Sequence, residues 1–201
     1  MTQTTTSEST IRTARLELRP FAPADARRVA FLAGDYAVAR MCGRVPHPYS
    51  FAAAQDWIAR TQQLRAKGDE FPFAVTIERD GLIGACGVTR TGEPEDSAWE
   101  IGYWFGQPYW GMGYATEAAQ AVMQWAQMSL SARVFAAGHF ADNPASGGVL
   151  RKLGFAATGS AELFGLARQG VSPVERYVWP ADAAPVRLDA HHSLTGAQAP
   201  H

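Results

Sequence analysis

Apolar and polar positions alternate along Leu16-Glu17-Leu18-Arg19-Pro20-Phe21 and stop at a proline, which predicts a short strand. Pro23-Ala24-Asp25 then opens a helix through Ala33, with the proline suited to a first turn. A helical region at Tyr36–Met41 and a Pro/Gly-rich loop, Gly43–Ser50, lead to a helix over Phe51–Lys67. That helix carries Phe51, Ala54, Ile58 and Leu64 near helical spacing. Phe71–Glu78 and Leu82–Thr89 flank Arg79-Asp80-Gly81, and Asp-Gly between two such runs is a hairpin signal. Ala98–Phe105 is the next strand. Tyr114–Gln127 reads as a helix with Ala115, Ala118, Ala119, Val122 and Ala126 on one face, suited to packing on a sheet. Val134–Phe140 is a strand and Pro144–Leu153 a helix stopped by Gly154, and Ala157–Leu166 with Val174–Trp179 forms a final hairpin. The order predicts a mixed α/β fold with sequential antiparallel strands before the central helix.

A chain of 201 residues fits one domain, placed at 11–180, between a disordered lead-in at 1–10 and a flexible tail at 181–201. With 47% hydrophobic and 18% charged residues, the composition is that of a globular protein. A net charge of −1 offers no basic excess for nucleic acid or an anionic membrane. The Thr/Ser/Gln-rich start lacks the apolar core of a secretory signal, and no apolar run approaches the ~20 residues of a membrane span. Cys42 and Cys86 stand alone, which fits two buried thiols in a reducing, cytoplasmic compartment. His47, His139, His191 and His192 show no ligand spacing, so no metal site is expected.

The chemistry concentrates at Gln107-Pro-Tyr-Trp-Gly-Met-Gly-Tyr-Ala-Thr-Glu-Ala118. Gly111 and Gly113 lie between a strand and a helix, where unpaired backbone N–H groups and the positive helix end favour an anion such as a phosphate. A side chain at either glycine would keep a phosphate from the amides or forbid the turn. The Rossmann pattern needs glycine where Thr116 stands, and the Gly-Lys-Ser/Thr ending of a P-loop is absent. Glu117 suits a first-turn helix stabiliser rather than a catalyst. Glu100 is the only carboxylate in the strand Ala98–Phe105. Its neighbours Trp99 and Ile101 would make it more basic, unless it faces solvent or pairs with an arginine. Asn143 before Pro144 reads as an N-cap whose NH₂ group stays free for a ligand.

Tyr-Trp-Gly-Met-Gly-Tyr-Ala-Thr-Glu-Ala, followed about thirty residues on by Asn143-Pro-Ala-Ser146 and Leu153-Gly-Phe155, resembles the GCN5-related N-acetyltransferase (GNAT) superfamily. Within it, the match is to the RimJ/RimL branch of ribosomal-protein N-terminal acetyltransferases, over about 14–180. The resemblance implies the GNAT fold, a mostly antiparallel sheet that splays between its fourth and fifth strands to admit acetyl-CoA, with helices on both faces. It implies cofactor contacts at Gly111, Met112, Gly113, Tyr114, Ala115 and Thr116, at Asn143 and Ser146, and through the backbone of Trp104 and Phe105. Glu100 becomes a general base or amine anchor. Many members protonate the leaving thiolate with a tyrosine at the position of Leu150; here that role moves to Ser146 or a water. Tyr49 and Phe164 would flank the acceptor. The implied reaction is direct acetyl transfer to a primary amine, either a protein N-terminus or a small molecule, by a monomer or homodimer. A non-catalytic acyl-CoA-binding protein is the alternative.

Overall fold

The structure, a computed structural model, describes residues 10–91, 98–180 and 182–183. The expected lead-in and tail fall almost wholly outside these residues. The described chain runs β1 (Ile11–Arg12), β2 (Glu17–Arg19), a 3-10 turn (Pro23–Asp25), α1 (Ala26–Ala33), α2 (Tyr36–Ala39), α3 (Phe51–Lys67) and β3 (Glu70–Ile77). It continues through β4 (Gly81–Thr91), β5 (Ala98–Phe105), a 3-10 turn (Gln107–Tyr109), α4 (Tyr114–Leu130), β6 (Val134–Phe140), α5 (Pro144–Lys152), β7 (Ala156–Gly165) and β8 (Gly170–Trp179).

The eight strands form one sheet in the order β1-β2-β3-β4-β5-β6-β8-β7. Every pair is antiparallel except β5 with β6. That parallel ladder runs only from Ala98↔Val134 to Glu100↔Ala136, so the two strands part beyond Glu100. The splay is the one expected between the fourth and fifth strands, displaced in number by β1. A two-residue strand carries no readable period, and β1 exists because Ile11 and Arg12 pair with Leu18 and Glu17. β8 starts at Gly170 rather than Val174 because Pro173 lies past the end of β6, where Phe140 meets Val174. Its missing N–H is not needed on that side.

Strand alternation sorts the core. Phe71 and Phe73 put their rings 5.2 and 5.0 Å from Trp125 of α4, with Arg65 of α3 over both. Glu70, on the opposite face of β3, meets Trp57, Arg60, Thr61 and Leu64 of α3 instead. α3 is capped by Ser50, whose oxygen accepts from the Ala53 N–H at 3.1 Å, and stopped by Gly68 in the left-handed region. The two thiols are buried, and burial pushes Cys42 up to about 12.

Candidate active site

Where β5 and β6 part, a cavity of about 660 Å³ opens. Ile101–Phe105 of β5 and Ala137–Phe140 of β6 form its two strand walls. Because the ladder stops at Glu100, the backbone edge of β5 that would meet β6 faces this cleft.

At one end lies the loop into α4. Gly111 and Gly113 sit at φ 74° and 80°, and Gly113 caps α4 with no side-chain hydrogen bond. A Cβ on Gly111 would meet nothing within 4 Å, and one on Gly113 only Arg15 at 3.5 Å. Within the protein, then, glycine is required here by backbone conformation and not by crowding. The Trp110 indole N–H donates to the Phe105 carbonyl at 2.7 Å, which fixes the loop against the strand end. Gly111, Gly113, Tyr114, Ala115 and Thr116 line the cavity, as do Trp104 and Phe105. Met112 does not. Its side chain is half exposed, and its carbonyl accepts from Arg15 Nη1 at 2.9 Å. Glu117 also points elsewhere, binding Thr13 Oγ1 at 2.6 Å and Arg15 Nε at 2.7 Å. Partial burial works to raise its pKa, but these hydrogen bonds and the Arg15 charge outweigh it and hold the carboxyl below its ordinary value.

Opposite the glycine loop, Asn143 caps α5. Its Oδ1 accepts from the Ser146 N–H at 3.3 Å, and Pro144 occupies the first helical position. Asn143 and Ser146 both line the cavity, and Leu150 lies buried one turn further. Sequence reasoning missed Tyr103. Its hydroxyl lies 2.9 Å from Ser146 Oγ and 3.3 Å from the Ser146 carbonyl. Burial raises the Tyr103 pKa, so the phenol stays protonated. Period-two alternation places Tyr103 on the face opposite Glu100, and that was the available signal. Asp142, just before the cap, binds Arg40 and, at 2.7 Å, Arg168.

Glu100 is buried and lines the cavity on the other face of β5, so it does not face solvent. Continuous register sets Glu70, Thr89 and Glu100 side by side across β3, β4 and β5. An arginine in electrostatic reach is Arg44, which is half-buried and also attracted to Glu70. The two proposed acceptor-flanking aromatics lie elsewhere. Tyr49 is buried in the core, where a Cβ on Gly34 would sit 3.2 Å from its own, and it does not line the cavity. Phe164 is 53% exposed on the outer face of β7, because its neighbour Leu163 takes the inward position. Val38, Met41, Leu163, Val174 and Arg176 line the cavity in their stead.

Among the described residues, no group of three or more His, Cys, Asp or Glu side chains is placed to hold a metal ion. No helix among them is long and apolar enough to cross a membrane.

A strand splay with a glycine loop on one side and a capped helix on the other forms this cleft, and comparison with known proteins shows which class of protein carries it. The acetyltransferase (GNAT) domain model matches residues 15–156, and the chain belongs to that family. It is therefore an acyltransferase enzyme. It is 31% identical over 123 residues to the uncharacterized N-acetyltransferase p20 of Bacillus licheniformis, covering 61% of this chain and 68% of that protein. Its fold matches RimL, the ribosomal L7/L12 α-N-protein acetyltransferase in complex with coenzyme A. That match has a TM-score of 0.76 at 21% identity, over 87% of this chain and 100% of the other. It also matches the ribosomal-protein-S5-alanine acetyltransferase of Vibrio fischeri, with a TM-score of 0.76 at 17% identity, over 87% and 98%.

Proposed function

We propose that this enzyme moves an acetyl group from acetyl-CoA to a primary amine by direct attack within a ternary complex. One observation carries the reading: the splay brings the Gly111–Thr116 loop, the Asn143–Ser146 cap and Glu100 into a single cleft. The loop amides at the N-terminus of α4 suit a pyrophosphate. The open edge of β5 at Ile101–Phe105 suits the amides of a pantetheine arm and can stabilise the thioester oxygen as it gains charge. The Asn143 NH₂ group, left over from capping, adds a donor on the same arm.

Glu100 takes the proton of the attacking amine, directly or through water. As the C–S bond breaks, the leaving thiolate takes a proton from Ser146, which regains one from water in the same event, its hydroxyl held by Tyr103. A protein N-terminal α-amine is the preferred acceptor. Its pKa of ~8 leaves a useful neutral fraction at pH 7, whereas a lysine amine at ~10.4 does not. The RimL and S5-alanine acetyltransferase folds support that preference. The test is thiol release from acetyl-CoA with peptides that differ in their first residue, beside a panel of small primary amines. Turnover of peptides alone would establish the N-terminal acceptor, and turnover of small amines alone would replace it. No thiol release with any acceptor would sink the proposal.

A further inference from the structure

The buried charge under the acceptor side of the cleft is more than a lone carboxylate needs. Glu70 and Glu100 lie on one face of the sheet, separated only by Thr89. Arg44, from the loop between α2 and α3, is half-buried and attracted to both. Arg44, Arg60 and Glu70 together line a small second cavity beneath α3. Burying such charges is costly, and a stable core would do as well with apolar side chains in their place. Their place beside the sheet face that carries Glu100 points to a use.

We infer that Arg44 and Glu70 are positioning residues that set the charge state of Glu100. The guanidinium holds Glu100 ionised, and Glu70, competing for the same cation, keeps that hold partial. Without Arg44, burial would leave Glu100 protonated and unable to accept a proton. With Arg44 to itself, Glu100 would be a stable anion but a poor base. The shared cation keeps it between these limits, where a general base works best.

Other charged and titratable groups among the described residues lie around this array. Arg60, from α3, repels Arg44 and attracts Glu70, and Tyr49 lies within reach of Arg60. Burial raises the Glu70 pKa, against the pull of Arg44 and Arg60. His139, Asp142 and Arg176 line the main cavity further along β6 and β8. The inference rests on the reading of Glu100 as the acceptor-side base, but the two can fail separately.

The decisive measurement is the titration of the Glu100 carboxyl carbon by NMR in the full chain labelled with ¹³C-glutamate. The signal is identified by its loss in Glu100→Gln. Arg44→Met should move the Glu100 midpoint up by about 1 pH unit or more, and Glu70→Gln should move it down. Arg44→Lys, which keeps the charge, should stay near wild type. Opposite shifts from the two variants are not expected of merely structural residues. Should Arg44→Met fail to fold, Glu70→Gln, which keeps its shape, decides alone. A midpoint unmoved by Glu70→Gln, or moved in the same direction by both variants, would overturn the array. A second measurement, the acid limb of kcat/KM with an accepted peptide, should follow the NMR midpoints. If the midpoints shift and the kinetics do not, the array stands and Glu100 loses its role as base.

Discussion

The wall of the cleft made by residues 111–116 and 143–150 and the wall that carries Glu100 are built in different ways. The first is local. Two left-handed glycines, a helix N-terminus and an Asn-Pro cap produce their geometry within a few residues of sequence, mainly through the backbone. The second is assembled at long range. Glu100 shares a sheet face with Glu70 only through the register of three strands, and Arg44 comes to Glu70 only through the loop between α2 and α3. A phosphate-bearing arm can be held by backbone N–H groups, which any sequence supplies once the turn is formed. An acceptor amine needs a side chain with a tuned proton affinity, and tuning requires neighbours from elsewhere.

The comparison breaks most sharply at Glu100. Glu100→Gln keeps shape and should lower kcat/KM by ~10²–10⁴-fold, with acetyl-CoA affinity unchanged by calorimetry. The pH profile of the remaining activity should follow the acceptor amine's own pKa. Weakened acetyl-CoA binding in this variant would mean that the two walls are not independent. Gly113→Val tests the other wall. A β-branched side chain at φ 80° strains the loop by ~1–3 kcal/mol, so acetyl-CoA affinity should fall by ~10–100-fold while the circular dichroism spectrum stays native. An unchanged dissociation constant would remove the loop from the site.

Smaller effects sharpen the line between binding and chemistry. Ser146→Ala and Tyr103→Phe should each lower kcat by about tenfold with little change in acetyl-CoA affinity, because on the proposed path both act as the thiol leaves. The double variant should lose little more than either single one, since Tyr103 acts through Ser146. Full additivity would show two separate roles. The smallest effect is on stability. Glu117 has a depressed folded pKa, so its contribution is present above the ordinary carboxylate range and is lost as pH falls through the folded value. Glu117→Gln should therefore lower Tm by about 1–3 °C at pH 7 and by less at pH 3. An equal loss at both pH values would make the effect one of packing.

The same contrast explains what could be read from the chain. The bounds of α3, β5 and β6 follow from hydrophobic period and from signals such as Ser50 and Gly68 that act on their own neighbours. The glycine loop and the Asn143 cap are equally local. Glu100 was legible as the one carboxylate in its strand, but its partners were not, because nothing within ten residues of Arg44 or Glu70 points to the other. Tyr103 escaped for a related reason: a tyrosine in a strand is ordinary until the fold brings Ser146 to it. Tyr49 and Phe164 were expected at the acceptor from the loop and the late hairpin that carry them, and side-chain direction there leaves both out of the cavity lining.

The carboxylate of Asp142 has an engineering consequence. It joins Arg40, at the end of α2, and Arg168, in the β7–β8 turn, to the first residues before α5. Two segments that border the cavity are thus fastened to the segment that presents Asn143 and Ser146. Anyone grafting new rim loops onto this scaffold to redirect its choice of amine would have to bring a matching pair of arginines. Otherwise the graft would loosen the cap as well as reshape the opening.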